Sequence, residues 1–278
     1  MEYWNLRRMT QKLLTIAIGS LGVIGLRVAQ GIVQNPGLGR LVAVAARDAD
    51  RATVRLCGIK SDAKVVAPAD LAKADVVIEC APASAFRDIA LPAIEAGRTL
   101  IPATVSGLLA HPDLIARARE TGARIVVPTG AIAALDAVRA MARGVLSAAS
   151  LKTTKNPHSL AGAPFFDSRD FDPEAIAEPT LIFSGNTLDA ASAFPANVNV
   201  AAALALAGIG PERTQVEIWA DPYTRINTHQ ISVISDAAEL DLTIRVLPSP
   251  DNPKSSLLTP LSLLAALEGL NSGFRVGS

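Results

Sequence analysis

The chain has 278 residues, 26 Lys and Arg against 26 Asp and Glu, three histidines, and 50% hydrophobic to 19% charged residues. At about 100–200 residues per domain this makes room for two modest domains with true cores, and such a composition excludes a disordered chain. Zero net charge argues against nucleic acid as a partner, and two cysteines without C-x-x-C spacing exclude a disulfide scaffold and a thiolate metal site, so no metal and a reducing, cytoplasmic setting are expected.

The opening segment places Arg7 and Arg8 before a nearly uncharged run over residues 13–26, which imitates a secretory leader. Gly19, Gly22 and Gly25 punctuate that run, no small-x-small cleavage site follows, and 14 residues fall short of the about 20 needed to span a bilayer. Residues 1–8 therefore read as a loose tail, and neither export nor a membrane is expected. Residues 13–18 (LLTIAI) predict a strand, 19–22 a turn and 24–33 a helix. Further strands are predicted over 40–46, 75–79, 99–103 and 124–127, with helices over 84–96 and 112–121 closed by Gly97 and Gly122. Strands alternating with helices imply right-handed crossovers and a parallel sheet.

After Pro128 the rhythm changes. A helix over 132–143 leads to strand-like 146–155, a loop rich in Pro, Asp and Phe, a strand over 180–184 and helical stretches over 188–193 and 198–207. Three alternating runs follow without intervening helices, 214–220, 228–235 and 240–247, and consecutive strands pair antiparallel. The expected fold is thus α/β, an N-terminal Rossmann-type dinucleotide-binding domain (1–129, completed by a helix within 251–278) with a second α+β domain on a mostly antiparallel sheet (130–250). The second domain is expected to bind substrate and to dimerise.

A strand, then GSLGVIG (residues 19–25), then a helix is the context of a dinucleotide-binding turn. Gly22 lets backbone approach a pyrophosphate, Gly25 lets helix and strand pack closely, and the helix start at Val23 and Ile24 offers oriented N–H groups. In G-x-G-x-x-G the first glycine would stand at Ser20, with a glycine displaced to Gly19; a ligand-free glycine turn is the structural alternative. About 20 residues on, where a ribose-contacting acid normally stands, come Arg47 and Asp48. Asp48 suits a ribose hydroxyl, whereas Arg47, helped by Arg51, suits a 2′-phosphate, so NADP or NAD is the cofactor expected; a solvated pair at a strand end is the alternative.

In the second half, the turn Pro128 to Ile132 enters a helix with N–H groups around Gly130 and Ala131 that can meet an anion or an amide. FPANVNVA (194–201) sets Asn197 and Asn199 two apart at a helix start, where an N-cap role explains one of them and not both. DPYTRINTH (221–229) runs from a turn into a strand and ends on His229, the side-chain type that titrates near neutrality without help; His111 and His158 read as surface residues. No Ser-His-Asp turn, HExxH or P-loop competes for the chemistry.

These segments, with GAIAALDAV (130–138), TTKNP (153–157), FPANVNVAAALALAG (194–208), ADPYTRINTH (220–229) and NPKSSLLTPLSLLAAL (252–267), resemble the L-aspartate dehydrogenases over most of the chain after residue 13. The resemblance implies NAD(P)-dependent oxidative deamination of L-aspartate to oxaloacetate and ammonia through iminoaspartate, with His229 on the catalytic histidine, Ala131 and Asn199 on cofactor-contacting positions, and Ser106-Gly107 in a loop near the cofactor. Ala81 and Asn252 complete the expected cofactor set. Gly130, Lys155, Asn197 and Asn227 are the expected substrate-binding residues, with Arg225 a further cationic candidate, because a dicarboxylate amino acid needs cationic or N–H-rich partners. Asp221 is expected to orient its loop or the imidazole. The alternatives are a dehydrogenase or imine reductase for another small amino or imino acid, or a catalytically silent cofactor-binding homologue.

Overall fold

The computed structural model describes residues 13–167, 172–249, 252–274 and 276–277, with the backbone alone for 252–255. The tail over residues 1–8 lies outside the described residues, as does the side chain of Asn252. The first sheet is assembled from β1 (Thr15–Gly19), β2 (Arg40–Ala45), β3 (Lys64–Val65), β4 (Val76–Glu79), β5 (Thr99–Pro102) and β6 (Arg124–Ile125). All its pairings are parallel, in the order β3-β2-β1-β4-β5-β6. The central runs TIAIG and VVIE are almost wholly buried, because helices cover both faces and leave no side free for polar residues. One face packs against α1 (Val23–Gln34) and α2 (Ala49–Gly58). The other packs against α3 (Phe86–Glu95) and, after the short α4 (Ser106–Ala110), α5 (Asp113–Thr121). α2 has no amphipathic period legible in the sequence: in ADRATVRLCG only Ala52 and Leu56 are buried, a stripe one turn long hidden among charges.

After α6 (Leu135–Met141), the second sheet takes β7 (Leu146–Lys155), β8 (Thr180–Asn186), β9 (Gln215–Ala220), β10 (Asn227–Ser235) and β11 (Glu239–Val246) in the order β11-β10-β7-β9-β8. Three of its four pairings are antiparallel, and β7 with β9 is parallel. The expectation that β9, β10 and β11 pair in succession holds for β10 with β11 only. β7 inserts between β9 and β10, and its alternating run buries Ala149, Leu151, Thr153 and Lys155 on the face that faces the core. That inner face is covered by α6, α7 (Thr187–Ala193) and the almost uniformly apolar α8 (Asn199–Ala207). The chain's own helices therefore occupy the apolar face of this sheet. A short ribbon of β12 (Pro248–Ser249) and β13 (Asn252–Ser256) leads to α9 (Leu258–Asn271), which returns to the first sheet: Leu263 and Leu267 are buried with β1 and α1, and Asn271 Nδ2 donates to the Leu38 carbonyl at 2.6 Å.

Candidate active site

At the carboxyl end of β1, where strand order reverses between β1 and β4, the chain turns through Ser20 into α1. Ser20 has φ +84°, a left-handed conformation that favours glycine, so the tight turn demanded of a first loop glycine is kept by a serine. A Cβ on Gly25 would lie 2.0 Å from the Ser20 carbonyl oxygen, so this position must be glycine for helix and strand to meet. At Gly22 a Cβ would meet only the Ser20 hydroxyl, at 3.8 Å, which leaves an open cradle above the backbone. The first turn of α1 carries no acidic residue, and Val23 and Ile24 present N–H groups there. Arg55 reaches across from α2 and donates to the Leu21 carbonyl, bracing the loop. An open cradle over an uncompensated helix N-terminus fits a pyrophosphate.

Arg47 and Asp48 follow β2 and are exposed; Asp48 N-caps α2, its Oδ1 accepting from the Arg51 N–H at 2.9 Å. At the end of β4, Glu79 is completely buried and accepts from the N–H groups of Ala81 (2.6 Å) and Thr104 (3.0 Å) and from the Thr104 hydroxyl (3.2 Å). Burial raises its carboxyl pKa to about 7 against those hydrogen bonds. Glu79 thereby ties the loop of Ala81 to the loop that starts α4. Nothing in the sequence reading singled it out, although an acid closing an apolar strand run was the available signal. Gly107, in α4, is buried against Phe86, where a Cβ would come within 2.5 Å of the ring, so packing explains its missing side chain.

Neither asparagine at the start of α8 is its cap: Val198 holds that place with no side-chain hydrogen bond. Asn199 Oδ1 instead accepts from the Ser106 N–H (3.1 Å) and hydroxyl (3.0 Å), joining α8 to α4, while Asn197 Oδ1 accepts from the Lys155 ammonium at 2.8 Å. Gly130, at φ +61°, donates its N–H to Ser262 on α9 at 3.0 Å, so that donor is already engaged. The neighbouring Ala131 N–H has no partner among the described residues.

His229 and Thr153 face each other across β10 and β7, and His229 Nδ1 and Thr153 Oγ1 share a hydrogen bond of 3.0 Å. The imidazole is 2% exposed, and Thr153 is its sole hydrogen-bond partner among the described residues. Burial, and after it the nearby Lys155 cation, push its pKa down to about 3, so it is neutral at physiological pH. Lys155 lies two residues beyond Thr153 on the same face; burial lowers its ammonium pKa to about 8. Strand periodicity puts Asn227 on the face of His229, and the register continued by one residue brings it level with Lys155. Asp221 does not orient the imidazole: its Oδ1 accepts from the Tyr223 N–H at 2.9 Å and shapes the turn. His111 stacks on Phe86, and His158 pairs with Glu174 at the surface. Arg225 is exposed. Among the described residues no group of three or more His, Cys, Asp or Glu side chains is placed to hold a metal, and no helix is long and apolar enough to cross a membrane.

A parallel sheet in this strand order with a glycine turn at its reversal, joined to a second sheet that buries a titratable pair, defines a two-domain nicotinamide-nucleotide oxidoreductase. Residues 21–128 match the homoserine dehydrogenase NAD binding domain family, and residues 136–270 match the aspartate dehydrogenase C-terminal family. A Bradyrhizobium diazoefficiens protein named L-aspartate dehydrogenase is 42% identical over 266 residues, 95% of this chain and 94% of its own. A Bordetella bronchiseptica protein named L-aspartate dehydrogenase 3 is 41% identical over 267 residues, 95% of this chain and 98% of its own. The solved aspartate dehydrogenase of Thermotoga maritima shares the fold, with TM-score 0.72 at 23% identity over 95% of this chain and 99% of that one. The chain belongs to the aspartate dehydrogenase family, as an amino-acid dehydrogenase with NAD or NADP as its cofactor.

Proposed function

We propose that the protein oxidatively deaminates L-aspartate to oxaloacetate and ammonia through iminoaspartate, and runs the reverse, as a cytoplasmic homodimer without nucleic-acid or membrane partners. The observation that carries this is the buried His229 beside Lys155 on the inner face of the second sheet, in a chain of this family. Gly19, Ser20, Gly22, Val23, Ile24, Arg47, Asp48, Ala81, Ser106, Gly107, Ala131, Asn199 and Asn252 would hold the cofactor; Gly130, Lys155, Asn197 and Asn227 would hold the substrate. The oxidised nicotinamide supplies the hydride acceptor for the substrate Cα.

The protein's part begins with exclusion of water. A site this buried strengthens the hydrogen bonds that the amide side chains would give the substrate carboxylates. In the tautomer that donates Nδ1–H to Thr153, His229 has its Nε2 lone pair for the proton of a water whose acidity rises as it bonds the cationic imine carbon. His229 then returns that proton to the carbinolamine nitrogen and takes the hydroxyl proton as the C–N bond breaks, the C=O bond forms and ammonia leaves; this last proton passes to solvent. The test is oxidation of NADH and NADPH, separately, by oxaloacetate plus ammonium. Consumption of either is expected, with a drop of about 10²–10⁴-fold in His229→Ala at unchanged circular dichroism. No consumption with either cofactor would move the reading to another amino acid, and a fully active His229→Ala would remove His229 from the chemistry. Sedimentation gives the stoichiometry, for which two copies are expected.

A further inference from the structure

We infer that Lys155 is the general base that takes a proton from the substrate α-ammonium group, an assignment that rests on the proposed deamination. At neutral pH an amino acid carries its nitrogen as an ammonium, without a lone pair. Loss of hydride from Cα forms a C=N bond only when nitrogen has an electron pair to supply, so one N–H must break first. Two titratable side chains share the inner face of the second sheet, His229 on β10 and Lys155 on β7, two residues beyond the Thr153 that faces His229.

His229 is badly matched to this step. Its sole side-chain partner among the described residues is Thr153, the nearby cation opposes its protonation, and an imidazole with a pKa of about 3 takes little from an ammonium. Lys155 is matched in place and chemistry. Lys155 is buried, and the Asn197 Oδ1 is the sole hydrogen-bond acceptor for its Nζ among the described residues. One N–H directed at Asn197 satisfies neutral amine and ammonium alike, and no other acceptor among the described residues takes a hydrogen bond from this nitrogen. An ammonium left so poorly paired is destabilised by burial, which brings its pKa to about 8. Arginine at this place would hold charge and could never accept a proton.

In the step, a substrate N–H bond breaks as an N–H bond forms on Lys155, and the freed pair closes the C=N bond as hydride leaves Cα, giving the iminium that water attacks. The departing ammonia takes the proton from Lys155 and restores the neutral amine.

The competing role is a fixed cation that holds a substrate carboxylate, and Lys155→Arg separates the two. The base assignment expects aspartate oxidation to fall about 10²–10⁴-fold in kcat with KM within a few-fold, and the rise of kcat/KM through pH 8 to vanish. In Lys155→Ala, small primary amines restore turnover in proportion to their basicity, which serves if the arginine variant does not fold. NADPH fluorescence enhancement equal to wild type reports an intact cofactor domain. If Lys155→Arg keeps kcat and pH profile while wild type turns over aspartate, the base assignment alone is overturned. A wild type inactive on every amino acid overturns the deamination reading, and the base with it.

Discussion

Ser20 and His229 each hold a state that the residue type resists. Left-handed backbone at a non-glycine residue costs about 1–3 kcal/mol, and a glycine there gives back part of the gain because it is freer in the unfolded chain. Ser20→Gly is expected to raise stability by about 1 kcal/mol, read as a rise of about 2–4 °C in thermal midpoint. For His229 the folded pKa lies near 3 and the unfolded one near 6.5, so between those values the unfolded chain binds the proton and the folded chain does not. The imidazole therefore costs stability progressively as pH falls from 6.5 towards 3. Glu79, with its folded pKa near 7 and unfolded 4.5, works in the opposite sense: its burial costs stability as pH rises from 4.5 to 7. Since Glu79 is present in both proteins, urea unfolding at pH 6.5 and pH 4.5 isolates the histidine, and His229→Gln should lose less stability on acidification than wild type. Equal losses would mean that the imidazole is protonated in the fold.

At the scale of elements, the β1–α1 turn depends on a backbone approach that no side chain permits. Gly25→Ala would press a methyl onto the Ser20 carbonyl, and neither the loop nor β1 has room to shift, since Ser20 N–H donates to Ala45 and Cys80 N–H donates to Gly19. A loss of about 1–3 kcal/mol or more is expected, together with loss of NAD(P)H binding by fluorescence titration. Binding at wild-type affinity would show that the turn is not the pyrophosphate cradle. The same element contained the departure legible in the sequence, Ser20 in place of a glycine, and the structure shows how it is absorbed: the backbone keeps the glycine conformation and the hydroxyl lies beside the Gly22 cradle.

Across the whole molecule, two side chains from distant segments close the space between the sheets. Asn199→Ala removes the acceptor for both the N–H and the hydroxyl of Ser106, leaving partly buried donors without it. A loss of about 1–3 kcal/mol is expected, with weaker NAD(P)H binding and little change in far-UV circular dichroism. Stability and cofactor affinity both at wild-type level would assign the contact to neither role.

The sequence by itself determined the parallel sheet, the glycine turn, the buried histidine strand and the return of the last helix, because buried strands and capped helices write their period and punctuation locally. It also placed His229 on its strand and Asn199 on its helix, through their improbable chemistry at strand and helix starts, while Asn197 lies in the turn before that helix. Only the tertiary structure decided that β7 separates β9 from β10, since strand order follows from which faces meet and not from which runs are adjacent. Only there does Thr153 come to face His229 from 76 residues away, with Lys155 beside it on the same face, and Ser106 to meet Asn199 across 93. Burial is a property of the assembled layers, so the lowered basicity of His229 and Lys155 and the raised pKa of Glu79 had no counterpart in the chain before it folded.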